Sequence, residues 1–424
     1  MTTLRIGAAG ALAVGLLALT ACGGGSADDG RMHVWMYQDS LAVVQKSAVE
    51  RFNEDAEIEA VVDEVPGDTY EDKVRTVMGS RDQPDVFFNW GAGSIRPYTE
   101  EEMLLSLDDA LESDPEFADS FLPSVLEGAE IDGVQYGIPL RGTQPVLLFY
   151  NEAVFDDVGV EPPETWDDIL DLVDAFSAEG ITPFALGGAD TWTMQMWLQY
   201  LVDRGGGPEV FQRIEEGDPE GWRDPAVLEA AETVEDLVER GAFGDNFASV
   251  SFTEGAASTL LSEGKAAMHL MGSWEYSTHL DQAPEFAEND LGYTAFPAMP
   301  GGEGDPANVT GNPTNYFSVT ADSEFTDEAV DFLKMTAEEE YVRDMVENGE
   351  VPTTTNAADL LDESPDPDFA TFQYETVEQA PHFQLSWDQA VPPSVATPML
   401  TEIEKLFNGQ STPDEFVETL ANLQ

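Results

Sequence analysis

Apolar positions along the chain change period several times, and each change marks an element. Met32, Val34 and Met36 alternate with His33, Trp35 and Tyr37, the two-residue period of a strand. Ser40 then opens a helix that sets Leu41, Val44, Ala48 and Phe52 on one face. Residues 58–65 read as a second strand. Asp68 and Glu71 stand in capping-box spacing ahead of a helix that Gly79 ends. Asp85-Val86-Phe87-Phe88 is a short buried strand. Strands and helices alternating at this spacing predict β-α-β units, a parallel sheet with helices on its faces. Such sheets bind ligands beyond the carboxyl ends of their strands, where Trp90, Gly91 and Gly93 stand here.

The stretch 136–151 (YGIPLRGTQPVLLFYN) breaks this rhythm. It is long, apolar and extended, with Pro139 and Pro145, and is expected to carry the chain from one lobe into another. A second α/β series follows. Thr165 caps a helix over 166–178, 181–186 is a strand, and 192–204 is a helix ended by Gly205. Asp224-Pro225 opens a helix running to Arg240. Helix is predicted over 253–263 and strand over 266–271 and 316–320. One helix is expected from about 327 to 346. The chain ends in helices over 393–407 and 413–423, the latter capped by Thr412.

The first residues change the picture. Arg5 precedes an apolar run over 6–19, then Leu19-Thr20-Ala21-Cys22 and three glycines. A basic start, a short apolar segment and small residues at the cut make a secretory signal. The run falls short of the roughly 20 apolar residues that span a bilayer. The cysteine at the cut resembles the lipobox of bacterial lipoproteins, which implies cleavage before Cys22 and a diacylglyceryl anchor on its thiol. Two acyl chains suffice for stable anchoring. Residues 1–21 are then a signal peptide and 22–30 a flexible tether. Cys22 is the only cysteine, so the fold must hold without an intrachain disulfide. At 424 residues there is length for two domains. Seventeen basic against 84 acidic residues give a net charge of −67, with acids spread throughout. Such a surface repels nucleic acid and anionic lipid, and reads as a solvated acidic skin.

Several motifs in order resemble the extracellular solute-binding lipoproteins of ABC importers, in their carbohydrate-binding, maltose-binding-protein-like branch. They are Asp85-Val86-Phe87-Phe88-Asn89-Trp90, Tyr136-Gly137-Ile138-Pro139 leading to Phe149-Tyr150-Asn151, and Pro163-Glu164-Thr165-Trp166-Asp167. Gly264-Lys265-Ala266-Ala267-Met268 follows, running to Gly272-Ser273-Trp274-Glu275. The tail from Trp387-Asp388-Gln389-Ala390 through Leu406-Phe407-Asn408-Gly409 to Thr412-Pro413-Asp414-Glu415 completes the set. The resemblance covers essentially the whole mature chain. It implies a two-lobed α/β periplasmic-binding-protein fold of type II, each lobe a mostly parallel sheet flanked by helices, joined by several crossings. The amino-terminal lobe would hold 31–143 and 316–352, the carboxyl-terminal lobe 144–315 and 353–424. It further implies ligand capture between closing lobes, delivery to ABC permease subunits, no cofactor, no catalysis, a monomer, and an extracytoplasmic site at the cell membrane. The chain looks most like members that take up xylo- or chito-oligosaccharides.

Sugars present C–H faces that pack on aromatic rings and hydroxyls that need directed hydrogen bonds. Trp90, Trp274 and Trp387 stand beside Asn89, Glu275 and Asp388 and fall at the family's cleft positions, which makes them ligand candidates. Trp192 follows a strand-to-helix loop, and Tyr37 and Asp39 lie at the end of the first strand. Arg141 can bond a ligand or pair with an acid; Asn312, in Gly311-Asn312-Pro313, can serve a ligand or a turn. Trp166 and Trp197, on helical faces, are expected in the core. His33, His269, His279 and His382 show no metal-ligand spacing. Gly91-Ala92-Gly93 has Arg96 where a dinucleotide loop needs glycine, and Gly264-Lys265 has Thr259 and Ala266 where a phosphate loop needs Gly and Ser/Thr. Three readings stand: a sugar receptor, the same scaffold holding a quaternary ammonium osmolyte in an aromatic cage, or a secreted glycoside hydrolase with a carboxylate pair among its many acids.

Overall fold

A computed structural model describes residues 30–38, 42–66 and 69–423. The signal segment, Cys22 and the tether to residue 29 lie outside the described residues, as do Asp39, Ser40, Leu41 and Asp68.

The strands are β1 (Met32–Gln38), β2 (Ala60–Pro66), β3 (Val86–Asn89), β4 (Glu130–Ile131), β5 (Val134–Gln135), β6 (Ile138–Pro139) and β7 (Gln144–Asn151). They continue as β8 (Thr182–Ala185), β9 (Ala266–Gly272), β10 (Leu291–Thr294), β11 (Val309–Asn312), β12 (Tyr316–Val319) and β13 (Phe383–Leu385). One sheet has the order β2-β1-β3-β12-β6; the other has β13-β11-β7-β9-β8, with β10 added to β7. The pair β4-β5 is a small hairpin. β1 is parallel to β2 and β3, as the alternation of strands and helices predicts. β12, however, runs antiparallel to β3 and β6, and β7 antiparallel to β9, β10 and β11. β12 and β7 are each the one reversed strand of their sheet, so both sheets are mostly parallel, as expected. β6 leads directly into β7, and β11 directly into β12, so the chain steps between sheets without a helix to reverse it.

The steps between sheets are laced together. Leu140 N donates to Asn315 O (2.9 Å), and Thr143 N to Val351 O (2.8 Å). Thr314 Oγ1 donates to Arg141 O (2.7 Å) and accepts from Arg141 N (3.3 Å). A β-carbon on Gly142 would stand 2.8 Å from Val351 O, so glycine lets this third segment approach. One core packs around β7–β9 and a second around β1, β3 and β12. A third joins Leu122 and Val125 to Val342, Val346, Tyr374 and Phe383. Burying each large apolar side chain contributes about 1.5–3 kcal/mol.

Local signals set several helix ends. Thr165 and Asp168 form a reciprocal capping box at Trp166–Glu179, as do Thr412 and Glu415 at Pro413–Ala421. The single helix expected over 327–346 is instead two, Thr326–Lys334 and Glu339–Glu347. Buried Thr336 turns its hydroxyl onto Leu333 O (2.9 Å), and Glu338 is extended, so the helix cannot continue.

Candidate ligand-binding cleft

Each lobe builds an aromatic wall. In the amino-terminal lobe Tyr37 closes β1 and Trp90 follows β3, both half-buried. The Trp90 ring lies 4.9 Å from Phe88, 5.7 Å from Tyr37 and 5.9 Å from Tyr70, each edge-on. Tyr70 OH donates to Phe88 O (2.8 Å), which locks the set. Gly91 turns the chain at φ +80, a conformation glycine adopts without strain. Its N–H is accepted by Asn89 Oδ1 (2.9 Å), while Asn89 Nδ2 donates to Ser318 (2.9 Å). Asn89 is thus used in holding the turn. Arg141 is buried, with its guanidinium 5.0 Å from the Phe88 ring centre.

In the carboxyl-terminal lobe Trp192 and Trp274 each begin a helix, Trp192–Gly206 and Trp274–Gln282. Their half-buried rings lie 6.1 Å apart at 56°, and Phe252 meets Trp192 edge-on at 5.4 Å. The Asp190 carboxylate accepts from Phe252 N (2.7 Å), Thr253 N (3.1 Å) and Ser251 Oγ (2.9 Å), fixing that loop. These bonds also explain why the helix predicted from 253 starts only at Ala256. Behind Trp274 lies Gly272, where a β-carbon would overlap the indole.

Polar groups meet near the lobe boundary. Gln195, one turn after Trp192, donates to Asp388 Oδ1 (2.5 Å). Burial raises the Asp388 pKa, and the Gln195 bond opposes that. Glu71, next to Tyr70, is also raised, first by burial; Arg75 pulls it down while Asp388 pushes it up across the lobe boundary. At that boundary Gly93 packs on the backbone of Gln389 and Ala390.

Three candidates take other places. Trp387 is 0 % exposed, stacked on Phe211 (4.9 Å, 6°) and edge-on to Trp222 (5.7 Å). It is a core residue, because the short helix Trp387–Ala390 turns its first side chain inward and leaves Asp388 toward the boundary. Glu275 is 0 % exposed, accepting from Ser258 Oγ (2.8 Å) and lying 2.9 Å from both His269 Nδ1 and His279 Nε2. Burial raises its pKa, but the two imidazoles outweigh it and hold the carboxyl at about 2. It braces the start of the Trp274 helix rather than offering itself to a ligand. Asn312 is buried on β11 with its Nδ2 donating to Gln144 Oε1 across to β7 (3.2 Å). Trp166 and Trp197 are in the core. Asp39 lies outside the described residues.

Sequence reasoning missed Tyr70, Phe252, Glu71 and Gln195. Gln195 had a signal, since its i+3 spacing from Trp192 puts both on one helical face. The others meet the site only through long-range packing.

Residues 38–343 match the family described as bacterial extracellular solute-binding protein. A multiple sugar-binding protein of Streptococcus mutans is 27% identical over 203 residues, 47% of this chain and 46% of that protein. An uncharacterised ABC-transporter extracellular-binding protein of Pyrococcus horikoshii is 27% identical over 224 residues, 52% and 49% of the two chains. The chain thus spans about half the length of these curated relatives in its matches. A solved structure described with xylan utilisation by the thermophilic bacterium Caldanaerobius polysaccharolyticus is 25% identical. It superposes with a TM-score of 0.77, covering 92% of this chain and 99% of the other. With a family match spanning most of its length and two α/β lobes, this chain belongs to the bacterial extracellular solute-binding proteins.

Proposed function

We propose that this protein captures a sugar or oligosaccharide outside the cytoplasm and delivers it to the membrane-spanning subunits of an ABC importer, without chemical change to the ligand. One observation carries the reading: the half-buried rings of Trp192 and Trp274 lie 6.1 Å apart, and Gln195, one turn after Trp192 on the same helix, bonds Asp388. That combination pairs C–H-stacking surface with hydroxyl-bonding groups. Trp90 and Tyr37 supply aromatic surface from the other lobe, and lobe closure brings the two together. The sugar-binding streptococcal relative supports the substrate class. The xylan-linked neighbour favours xylo-oligosaccharides, with chito-oligosaccharides the related choice. Cys22 anchors the mature, monomeric protein to the membrane through lipid in this reading. A quaternary ammonium ligand fits less well, because the Arg141 guanidinium already lies against an aromatic ring of the amino-terminal wall.

The test is a thermal-shift screen against mono- and oligosaccharides followed by calorimetric titration, since a ligand bound only by the folded state raises its melting temperature. Stabilisation by a neutral sugar is expected. Stabilisation by glycine betaine and by no sugar would overturn the reading.

A further inference from the structure

The helix Ala92–Glu100 of the amino-terminal lobe begins at the lobe boundary. Ala92 packs with the carboxyl-terminal core, and Gly93 lies on the backbone of Gln389 and Ala390. Arg96 stands four residues after Ala92 and three after Gly93, so it shares their helical face. Across the boundary the helix Pro208–Glu215 packs on the same short helix, Trp387–Ala390: Phe211 stacks on Trp387 at 4.9 Å. Glu215 follows Phe211 by four residues and shares its face in turn. A cavity of about 200 Å³ lies here, lined by Ala92, Glu127 and Glu130 from one lobe and by Phe211, Glu215 and His382 from the other.

Its charges are unbalanced. Three carboxyl groups line it, and no lysine or arginine does. Burial holds the His382 imidazole below its ordinary pKa, against a smaller opposing effect of Glu209, so it adds no fixed positive charge. Arg96 is the cation within electrostatic reach of Glu215: it pulls that partly buried carboxyl down, while burial and Glu216 push it up. The two are not in contact. The Glu215 carboxyl has no ion-pair or hydrogen-bond partner among the described residues. Arg96 Nη1 instead lies 3.5 Å from Oδ1 of Asp132, in the turn between β4 and β5.

That resting pair is a weak hold. The Asp132 side chain is 83 % exposed, the separation is long for a hydrogen bond, and exposed ion pairs contribute little. Glu215 is partly buried, and the same two charges attract more strongly where water is scarcer. As the lobes close, Glu127 and Glu130 approach Glu215. Like charges then oppose closure unless a cation stands with them.

We infer that Arg96 is that cation, an electrostatic latch between the lobes: loosely held by Asp132 of its own lobe, it passes to Glu215 of the other as they close and holds them together. The inference rests on closure of the two lobes and not on the identity of the ligand.

Both tests use the mature chain without sugar. Carboxyl ¹³C NMR follows the titration of Glu215, assigned by the signal that Glu215→Gln removes. Arg96→Gln is expected to raise the midpoint by about half to one pH unit. Asp132→Asn frees the guanidinium and is expected to lower it, an effect lost when Arg96→Gln is also present. An unchanged midpoint in Arg96→Gln overturns the latch, and so does an Asp132→Asn effect that persists without Arg96. Small-angle scattering at about pH 8, above the Glu215 value of about 7, then reads the lobes. Arg96→Gln is expected to lower the closed-to-open ratio about twofold to fivefold, seen as a larger radius of gyration. In a Glu215→Gln background the same substitution is expected to change nothing. A parental radius in Arg96→Gln, or an equal enlargement in both backgrounds, overturns the latch. With no sugar present these outcomes bear on the latch alone, whereas a screen in which no sugar binds overturns the ligand reading and leaves the latch standing.

Discussion

Gly93 of the amino-terminal lobe lies directly on Ala390 of the carboxyl-terminal lobe: a β-carbon on Gly93 would overlap the Ala390 carbonyl oxygen and stand 2.7 Å from that of Gln389. Glycine is what lets the lobes come this close. Gly93→Ala is expected to oppose closure at a cost of about 1–3 kcal/mol, lowering sugar affinity about 5- to 150-fold. The unliganded melting temperature should stay near that of the parent. Calorimetric titration and small-angle scattering with and without sugar check this; an unchanged Kd would show that closure does not need the contact.

The tryptophans should divide by location. Trp192→Ala and Trp274→Ala each remove a half-buried platform, costing about 1–3 kcal/mol of binding, with little change in unliganded stability. Trp387→Ala and Trp166→Ala each leave a cavity in the core and should cost about 3–5 kcal/mol of stability. Melts and titrations of the four variants decide it. A Trp387→Ala protein with parental stability and weakened binding would return that residue to the cleft.

Two carboxyl groups give opposite pH dependences. Glu215 is lifted to about 7, first by burial, with Arg96 lowering it and Glu216 raising it; Glu127, Glu130 and His382 share its cavity. Its folded form holds a proton that the unfolded chain has lost, so its contribution is full below its ordinary value of 4.5 and is lost as pH rises to about 7. Glu275, held at about 2, contributes above 4.5 and loses that contribution as pH falls toward 2. In melts across pH, Glu215→Gln should flatten the decline between 4.5 and 7. Glu275→Gln should remove the loss below 4.5 and lower stability throughout, because it weakens the acceptor shared by His269 and His279.

The anchor is tested at Cys22, the only thiol. Cys22→Ser should release or mislocalise the protein, while a chain starting near Asp28 should stay soluble and bind sugar normally. Fractionation of cells reads this out, and a Cys22→Ser protein as membrane-bound as the parent would refute the lipobox.

The acidic skin predicts a salt response. Repulsion at a net charge of −67 opposes the compact state, and salt screens it over about 10 Å at 0.1 M. Melting temperature should rise with sodium chloride more steeply than for a near-neutral control protein, which corrects for salting-out of apolar surface. A slope no steeper than the control's would count against this account.

Features that depend on neighbours in the chain could be read directly. Thr165 with Asp168, and Thr412 with Glu415, announce helix starts because a cap is satisfied within four residues. The alternation around Met32–Gln38 announces a strand because side-chain direction there follows from backbone geometry alone. The helix break at Thr336 escaped this logic, since the residue bonds backward only once packing has buried it.

Packing between distant segments decided the rest. Trp387 and Asp388 are adjacent and equally plausible as ligand groups, yet one is stacked in the core on Phe211 and the other bonds Gln195 at the lobe boundary. Glu275 looked available beside Trp274 until His269 and His279 enclosed it. Tyr70 and Phe252 join the aromatic walls through partners far away in sequence. The one reversed strand in each sheet has the same origin, because the pairing of β12 with β6 and of β7 with β11 depends on where the chain steps between lobes. Hydrophobic period and capping act over a few residues, so sequence carries them; burial and cross-lobe contact are set by the whole chain's packing, so only the tertiary structure could assign them.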